Sequence, residues 1–347
     1  MADPHYTSRV CAPSELSALE VAAWDQLNAS VPALASPFLS CHYARAVQAA
    51  GMAVRVCVLR QGDAIAGFLA FQHPDWVAGV LKSGEPAGAE MTDYFGLVAR
   101  PDLRITPAQL LALAGLNHLN FTHLDSSQQT YGLSGEQPRV GLRINIDSDA
   151  DLPLEALLAD KHKYRKDSER RARQLAKEIG PLEFVQDVQG ADLRRSTLAA
   201  MVTSKREQYT RTGAFDALGA PWRRALLEHL LDVREDSCRS VLTSLSAGGT
   251  WVAIHFGIFG NGQLQYWLPV YNPAMAKYAP GRLLIHHIIE NSKSLGLRVI
   301  DRGEGDTPSK RELANEEHAF LRGAWHNASL ASTVQRAIHS IRWRLAA

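Results

Sequence analysis

One order of elements occurs twice along this chain, and that repetition limits the fold more than any single motif does. Val54–Asp63 and Ala64–Phe71 are apolar runs about a polar glycine turn, which predicts a β-hairpin. Asp93–Val98 reads as a further strand. Thr106 and Pro107 then open a Leu- and Ala-rich helix, as N-cap and first helical residue, and Asn120–Asp125 returns as a strand. In the second half, Ser240–Ser246 and Val252–Phe259 flank the turn Ala247-Gly248-Gly249, and the strand Gln263–Tyr271 follows. A helix from about Gly281 to Ser294, closed by Gly296, leads to the strand Leu297–Asp301. The expected fold class is α/β with mixed sheets, as two tandem lobes, 1–150 and 151–347. The boundary falls at the acidic, turn-prone Ser148-Asp149-Ala150-Asp151. A helical region opens the second part: a basic helix over Leu154–Gly180, an amphipathic one over Leu193–Thr212, and a third from Pro221 to about Val233. The stretch Val334–Leu345 predicts a packed amphipathic helix.

Composition narrows the function classes. With 46% hydrophobic and 21% charged residues, 347 residues can bury two cores and do not form a disordered chain. A net charge of +1 argues against bulk nucleic-acid binding. No apolar run is long enough to span a bilayer, and Met1–His5 lacks the basic and apolar regions of a secretory signal. Cys11, Cys41, Cys57 and Cys238 show neither a CxxC pair nor zinc spacing, so no disulfide framework and no metal is expected. The reading is a cytoplasmic protein.

The segment Asn272–Leu284 joins a strand to a helix through a small loop containing Gly281. At such a junction the first helical N–H groups lack intrahelical acceptors and carry the positive end of the dipole. A diphosphate can dock there if no side chain blocks it, with Arg282 supplying charge. Equally, Pro280 and Gly281 could simply start a buried helix. The matching loop of the first half, Arg100–Thr106, has no glycine and carries Asp102, so a nucleotide-like ligand belongs to the second lobe.

Three motifs, His255-Phe256-Gly257, Tyr278–Leu284 and Asp301–Lys310, stand in an order that resembles CelD-like acyltransferases of the GNAT superfamily. That group is related to the FemAB peptidyltransferases, which have duplicated GNAT lobes. Ser36–Ser40, Thr92–Gly96 and Lys205–Gly213 look like the same family, so the resemblance runs from about Ser36 to Gly323. It implies two GNAT-like lobes, with acetyl- or another acyl-coenzyme A lying along the strand that ends at Val270 and Tyr271. The pyrophosphate would sit at Tyr278, Ala279, Pro280, Gly281, Arg282 and Leu283. The family commonly has a tyrosine before its last lysine. Here Ser309 precedes Lys310, which removes one hydroxyl.

Acyl transfer needs proximity, a deprotonated acceptor and stabilisation of the developing oxyanion. His255 reads either as the base or as a core histidine. Glu304 and Asp306 are alternative bases or solvated caps. Lys310 either polarises a carbonyl or is solvated. For the acceptor, the resemblance points to Asp93 and Tyr94 in the first lobe. Lys205 and Tyr209, one turn apart on a helix, and Trp267, alternating with Tyr271, are further candidates that ordinary surface and core packing explain equally. Three readings follow. The first is acyl-coenzyme A-dependent transfer to an amine or hydroxyl of a small metabolite, sugar nucleotide or polysaccharide precursor. The second is aminoacyl transfer from tRNA to a cell-envelope precursor, which the FemAB relationship and the basic helix leave open. The third is an inactive binding module that keeps the fold.

Overall fold

A computed structural model of the chain describes residues 5–147 and 150–327. The expected boundary residues Ser148 and Asp149, the Val334–Leu345 helix and most of Met1–His5 lie outside them. The chain forms two compact units, one of residues 1–140 with those from Ala319 on, the other Gly141–His318.

The first unit holds the strands β1 (Thr7–Cys11), β2 (Val54–Gln61), β3 (Ala64–Gln72), β4 (Ser83–Pro86), β5 (Val98–Ala99) and β6 (His118–Asp125). Its helices are α1 (Ala18–Ser30), α2 (Cys41–Ala49), α3 (Trp76–Val80) and α4 (Pro107–Ala114). β2 and β3 are the expected hairpin, and α4 starts as expected, with the Thr106 hydroxyl accepting from the Gln109 amide. Trp24 stacks on Phe68 at 4.6 Å and donates its indole N–H to the Leu39 carbonyl, so its burial leaves no polar atom unpaired. The expected strand over Asp93–Val98 shrinks to a bridge at Phe95 and the two residues of β5. The buried amide of Gln128 takes a neighbouring strand's place there: it accepts from the Leu97 N–H and donates to the Leu97 carbonyl.

The second unit contains β7 (Gln137–Asn145) from Gly141 on, β8 (Leu182–Val185), β9 (Arg234–Glu235), β10 (Cys238–Ala247), β11 (Thr250–Gly260), β12 (Gln263–Tyr271) and β13 (Val299–Glu304). Its helices include α5 (Pro153–Leu157), α6 (His162–Glu178), α7 (Ala191–Thr212), α8 (Pro221–Leu231) and α9 (Pro280–Glu290). The expected basic helix is thus broken in two after Leu157. The sheet runs β7-β13-β12-β11-β10-β8, antiparallel throughout except for β12 and β13. α9 lays Leu284, Ile285, Ile288 and Ile289 into a core shared with Leu264 and Ile300 of the sheet.

The lobe boundary therefore differs from the expectation of 1–150 and 151–347. The division falls at Val140/Gly141, and the last described strand, β14 (Glu316–His326), belongs to the first unit from Ala319 on. Its residues Phe320 to His326 pair antiparallel with β6, whose ladder groups would otherwise be an open edge.

A register shift separates the pairs Phe256–Leu268 and Ile258–Gln265, so β12 carries one extra residue opposite β11. Gly257 sits in this bulge, and a Cβ there would lie 2.4 Å from the Gln265 carbonyl oxygen and 2.6 Å from the His255 ring. Gly257→Ala is therefore expected to cost about 1–3 kcal/mol, as overpacking does. The urea midpoint should fall with no change in slope, and an unchanged midpoint would show that the bulge is not tightly packed.

Candidate active site

β12 and β13 pair for only three residues each, Gln263–Gln265 against Val299–Asp301. β12 then continues to Tyr271 against β11, while Glu304 of β13 pairs with Gly141 of β7. The two strands part, and a cavity of about 420 Å³ opens where their ladder stops. Tyr266, Pro269, Val270 and Tyr271 line it from β12, and Arg302 from β13. Ala279, Pro280, Gly281 and Arg282 line it from the start of α9, Lys205 and Gln208 from α7, Tyr164 from α6, and Ser309 and Glu312 from the segment after β13. A larger cavity of about 1000 Å³, between α7 and α8, takes Arg206, Glu207, Thr210 and Arg211 of the Lys205–Gly213 motif but none of the residues given a catalytic, donor or acceptor role from the sequence. The smaller one gathers cations, phenols and a helix start at a strand opening.

The loop before α9 is pinned to α6. Tyr278 donates its hydroxyl to Glu178 at 2.5 Å, Lys277 donates to the same carboxylate, and Arg171 donates to the Lys277 carbonyl. The Lys277 ammonium, helped by the Tyr278 hydroxyl, pulls the Glu178 carboxyl down to about 2. Ala279, at φ 54°, holds the left-handed conformation that costs a non-glycine residue about 1 kcal/mol or more. The amides of Arg282 and Leu283 bond back to the Ala279 carbonyl, and Pro280 has no N–H. The expected row of bare amides is therefore one amide, that of Gly281. A Cβ on Gly281 would meet nothing within 4 Å, and the residue lines the cavity, so no side chain fills the space beside it. Arg282 is not a free cation: it donates to Asp167 at 2.9 Å and to Glu312 at 3.2 Å, and lies 4.3 Å from the Tyr164 ring centre.

Lys205 is 8% exposed, yet its ammonium lines the cavity and donates to the Pro269 carbonyl at 2.8 Å. Burial lowers its pKa to about 8. Tyr209 packs beside it, with the ammonium 5.3 Å from the ring centre. Burial pushes the Tyr266 phenol up to about 12 and drives the Tyr164 phenol well above its usual range, so both keep their protons at neutral pH. Tyr164 is hydrogen-bonded to His286, which burial lowers to about 4 and so keeps uncharged.

Several expected site residues stand elsewhere. His255 is wholly buried behind Tyr266, its ring stacked on the phenol at 4.3 Å, and burial drives its pKa to about 3. An imidazole so weakly basic and so enclosed is a poor general base. Tyr278 and Leu283 are buried in the core. Trp267 packs against Phe256 instead of beside Tyr271. The bulge breaks the expected alternation, so Tyr266 shares the face of Tyr271 in the core under α9. Asp306 is an exposed carboxylate clamped by Arg311, whose two bonds hold its pKa below the usual range. Lys310 donates to the Glu304 and Gly303 carbonyls, and neither Lys310 nor Glu304 lines the cavity. Asp93 and Tyr94 belong to the first unit, where Tyr94 is buried edge-on to Phe320. In that unit Asp25, Cys41 and His42 also bring three metal-ligating atoms within 4.8 Å of one another, a grouping the cysteine spacing did not signal.

The cavity adds residues to which the sequence reading gave no role: Gln208 and Arg302, inside quoted motifs, and Tyr164, Tyr266 and Glu312. Tyr164 left one signal, as the lone aromatic residue within the basic helix.

A family profile described as an acetyltransferase (GNAT) domain matches residues 162–311, which include every residue of this cavity except Glu312 and Leu313. No curated protein sequence matches the chain. Among solved structures, FemX is similar over 95% of this chain and 99% of its own, with a TM-score of 0.60 at 9% identity. The C-terminal DUF2156 domain of a protein named as a lysylphosphatidylglycerol synthetase, from Agrobacterium fabrum, is similar over 92% of this chain and 95% of its own, with a TM-score of 0.53 at 12% identity. At such identities the likeness is one of fold. The chain has a mixed α/β fold, and residues 162–311 of its second unit match the acetyltransferase (GNAT) domain profile.

Desolvation of Lys205 has a measurable consequence. Its folded pKa of about 8 lies below the ordinary value of 10.5, so between those values the unfolded chain binds more protons. This group therefore makes stability rise as pH increases from about 8 to about 10.5. Urea midpoints at pH 7.5 and 9.5 should show that rise in the native chain and lose it in Lys205→Met. An identical pH slope in the variant would show that the ammonium is not desolvated.

Proposed function

We propose that the chain is a cytoplasmic acyltransferase that takes an acetyl or other acyl group from coenzyme A to an amine or hydroxyl of a small metabolite, sugar nucleotide or polysaccharide precursor. The observation that carries this reading is the amide of Gly281 at the edge of the cavity between β12 and β13. The fit is good in kind: a helix start for an anionic group, cations nearby and a half-apolar cavity for a pantetheine-like chain. Bound there, an acyl thioester would supply the activated carbonyl.

The protein's own groups do the rest. Gly281 and Arg282 receive the anionic end of the donor. Lys205, charged at neutral pH, faces the cavity and stabilises an oxygen that gains negative charge. Tyr266 holds a hydroxyl that can donate a proton to a departing group. The same phenol regains a proton from the acceptor nitrogen or oxygen as the C–S bond breaks, so the acceptor's proton ends on the departing thiol, while His255 is enclosed and Asp306 is clamped.

One observation favours the aminoacyl-tRNA alternative. α6 walls the cavity with Tyr164, and on the same helix Lys163, Lys166 and Lys177 are exposed, with no ion pair to another described residue. Such cations could hold a polyanion by counterion release. A thermal-shift series separates the two donors, because a ligand that prefers the folded state raises the midpoint. Coenzyme A should raise it and bulk tRNA should not. Gly281→Asp, placed where there is room, should leave the ligand-free midpoint within about 1 °C, since surface changes cost little, and abolish the coenzyme A shift. Stabilisation by tRNA alone, or a shift that survives Gly281→Asp, would refute this site.

A further inference from the structure

Lys205 is an amine built into the wall of the cavity that the acyl donor would fill. Arg194, Leu198, Met201 and Lys205 are the buried residues of α7 and recur every three or four positions, so the lysine stands on the packed face of the helix. The other cation on that face, Arg194, is paired with Asp187 at 2.6 Å. Among the described residues no carboxylate pairs with Lys205, and its ammonium donates to two neutral groups. They are the Pro269 carbonyl of β12 at 2.8 Å and the Gln208 side-chain oxygen at 3.5 Å. Glu312, the one carboxylate that lines the cavity, is taken by Arg282, and the other charged groups there, Arg282 and Arg302, are cations. Beside the lysine stand Tyr209 on its own helix, Tyr266 of β12 and, behind Tyr266, His255 of β11. Burial raises both phenols and lowers the imidazole, so none of the three is charged at neutral pH.

A buried ammonium without a counter-ion gives up its proton more readily, and the neutral amine is a nucleophile. Burial brings Lys205 to about 8, so about one tenth of it is neutral at pH 7. Neutral Nζ keeps two N–H bonds and gains a lone pair. One N–H stays on the Pro269 carbonyl, and the lone pair is left for the cavity.

We propose that Lys205 is a modification site, acylated by the thioester bound beside it whenever no acceptor occupies the cavity. This modification presupposes the reading of the donor as an acyl thioester held along β12. Neutral Nζ attacks the carbonyl carbon, a C–N bond forms as the C–S bond breaks, and the Nζ proton ends on the departing thiol. An amide is neutral and a far poorer acyl donor than a thioester, so the step stops there. It removes the ammonium that meets the oxyanion and leaves an acyl group in the cavity. A chain loaded with donor but starved of acceptor thus turns itself off.

The test is incubation of the full chain with acetyl-coenzyme A and no acceptor, followed by intact mass and peptide mapping. One acetyl group should enter at Lys205, at least about tenfold faster than at the exposed Lys163, Lys166 and Lys177. Its rate should rise about fivefold from pH 7 to pH 8 and only about twofold from pH 8 to pH 9, where a solvated lysine gains about tenfold at each step. 4-Nitrophenyl acetate, which needs no coenzyme site, should label the same residue, and Gly281→Asp should block only the labelling by acetyl-coenzyme A. An unlabelled Lys205 in a chain whose melting midpoint coenzyme A still raises would overturn the proposal and leave the donor reading standing. Labelling by the ester, with neither labelling nor stabilisation by the coenzyme, would sink both. Equal labelling of the exposed lysines, or a tenfold gain at every pH step, would reduce the reaction to ordinary surface chemistry and overturn the proposal as well.

Discussion

The second unit depends on a parallel ladder that stops after three residues. β12 continues along β11, and β13 is claimed on its other side. The buried Asp301 carboxylate accepts from Arg143 of β7 at 2.8 Å and from the Gly303 amide at 2.8 Å. Each strand is therefore held by its outer neighbour, and among the described residues their ladder does not continue past Gln265 and Asp301, where Arg302 of β13 lies 5.9 Å from the ring centre of Tyr266 of β12. A sheet opened in this way exposes peptide groups in a low-dielectric wall, where their dipoles and any nearby charge act strongly. The Pro269 carbonyl, beyond the end of the ladder, accepts from Lys205.

The same opening explains the charge states around it. Groups that reach it from the packed side lose water, so Lys205 moves down and the phenols of Tyr266 and Tyr164 move up. Groups at its outer rim meet counter-charges instead, as Arg282 does between Asp167 and Glu312. An anion arriving at Gly281 would have to compete with those carboxylates for Arg282. The site thus offers the Gly281 amide, one desolvated ammonium and two guanidinia, Arg282 paired with carboxylates and Arg302 donating to the Ser309 carbonyl. That is a sparser phosphate cradle than a glycine-rich loop provides.

Much of this was legible beforehand. The hairpins, the α4 start at Thr106-Pro107, the Gly296 cap and the position of α9 all follow from local chemistry: turn glycines, capping side chains and apolar period. The loop at Gly281 was legible for the same reason. The failures share a cause. His255 had the right side chain for a base, but its neighbours in space are Tyr266 and the core, and no local pattern reports enclosure. Trp267 was placed on the cavity face by simple alternation, which a one-residue bulge reverses. The boundary at 150 missed β14, because pairing with β6 joins residues nearly two hundred positions apart.

By itself the sequence determined the kinds of element, their duplicated order and the strand-loop-helix junction at which a phosphate could bind, since each rests on interactions within a few residues. Which side chains share one water-poor cavity was decided only by the tertiary structure. Tyr164, Lys205, Tyr266 and Arg302 come from α6, α7, β12 and β13, and they meet because two strands diverge. Divergence is set by partners on the far side of each strand, and burial, which fixes the protonation of those groups, is a property of the assembled fold.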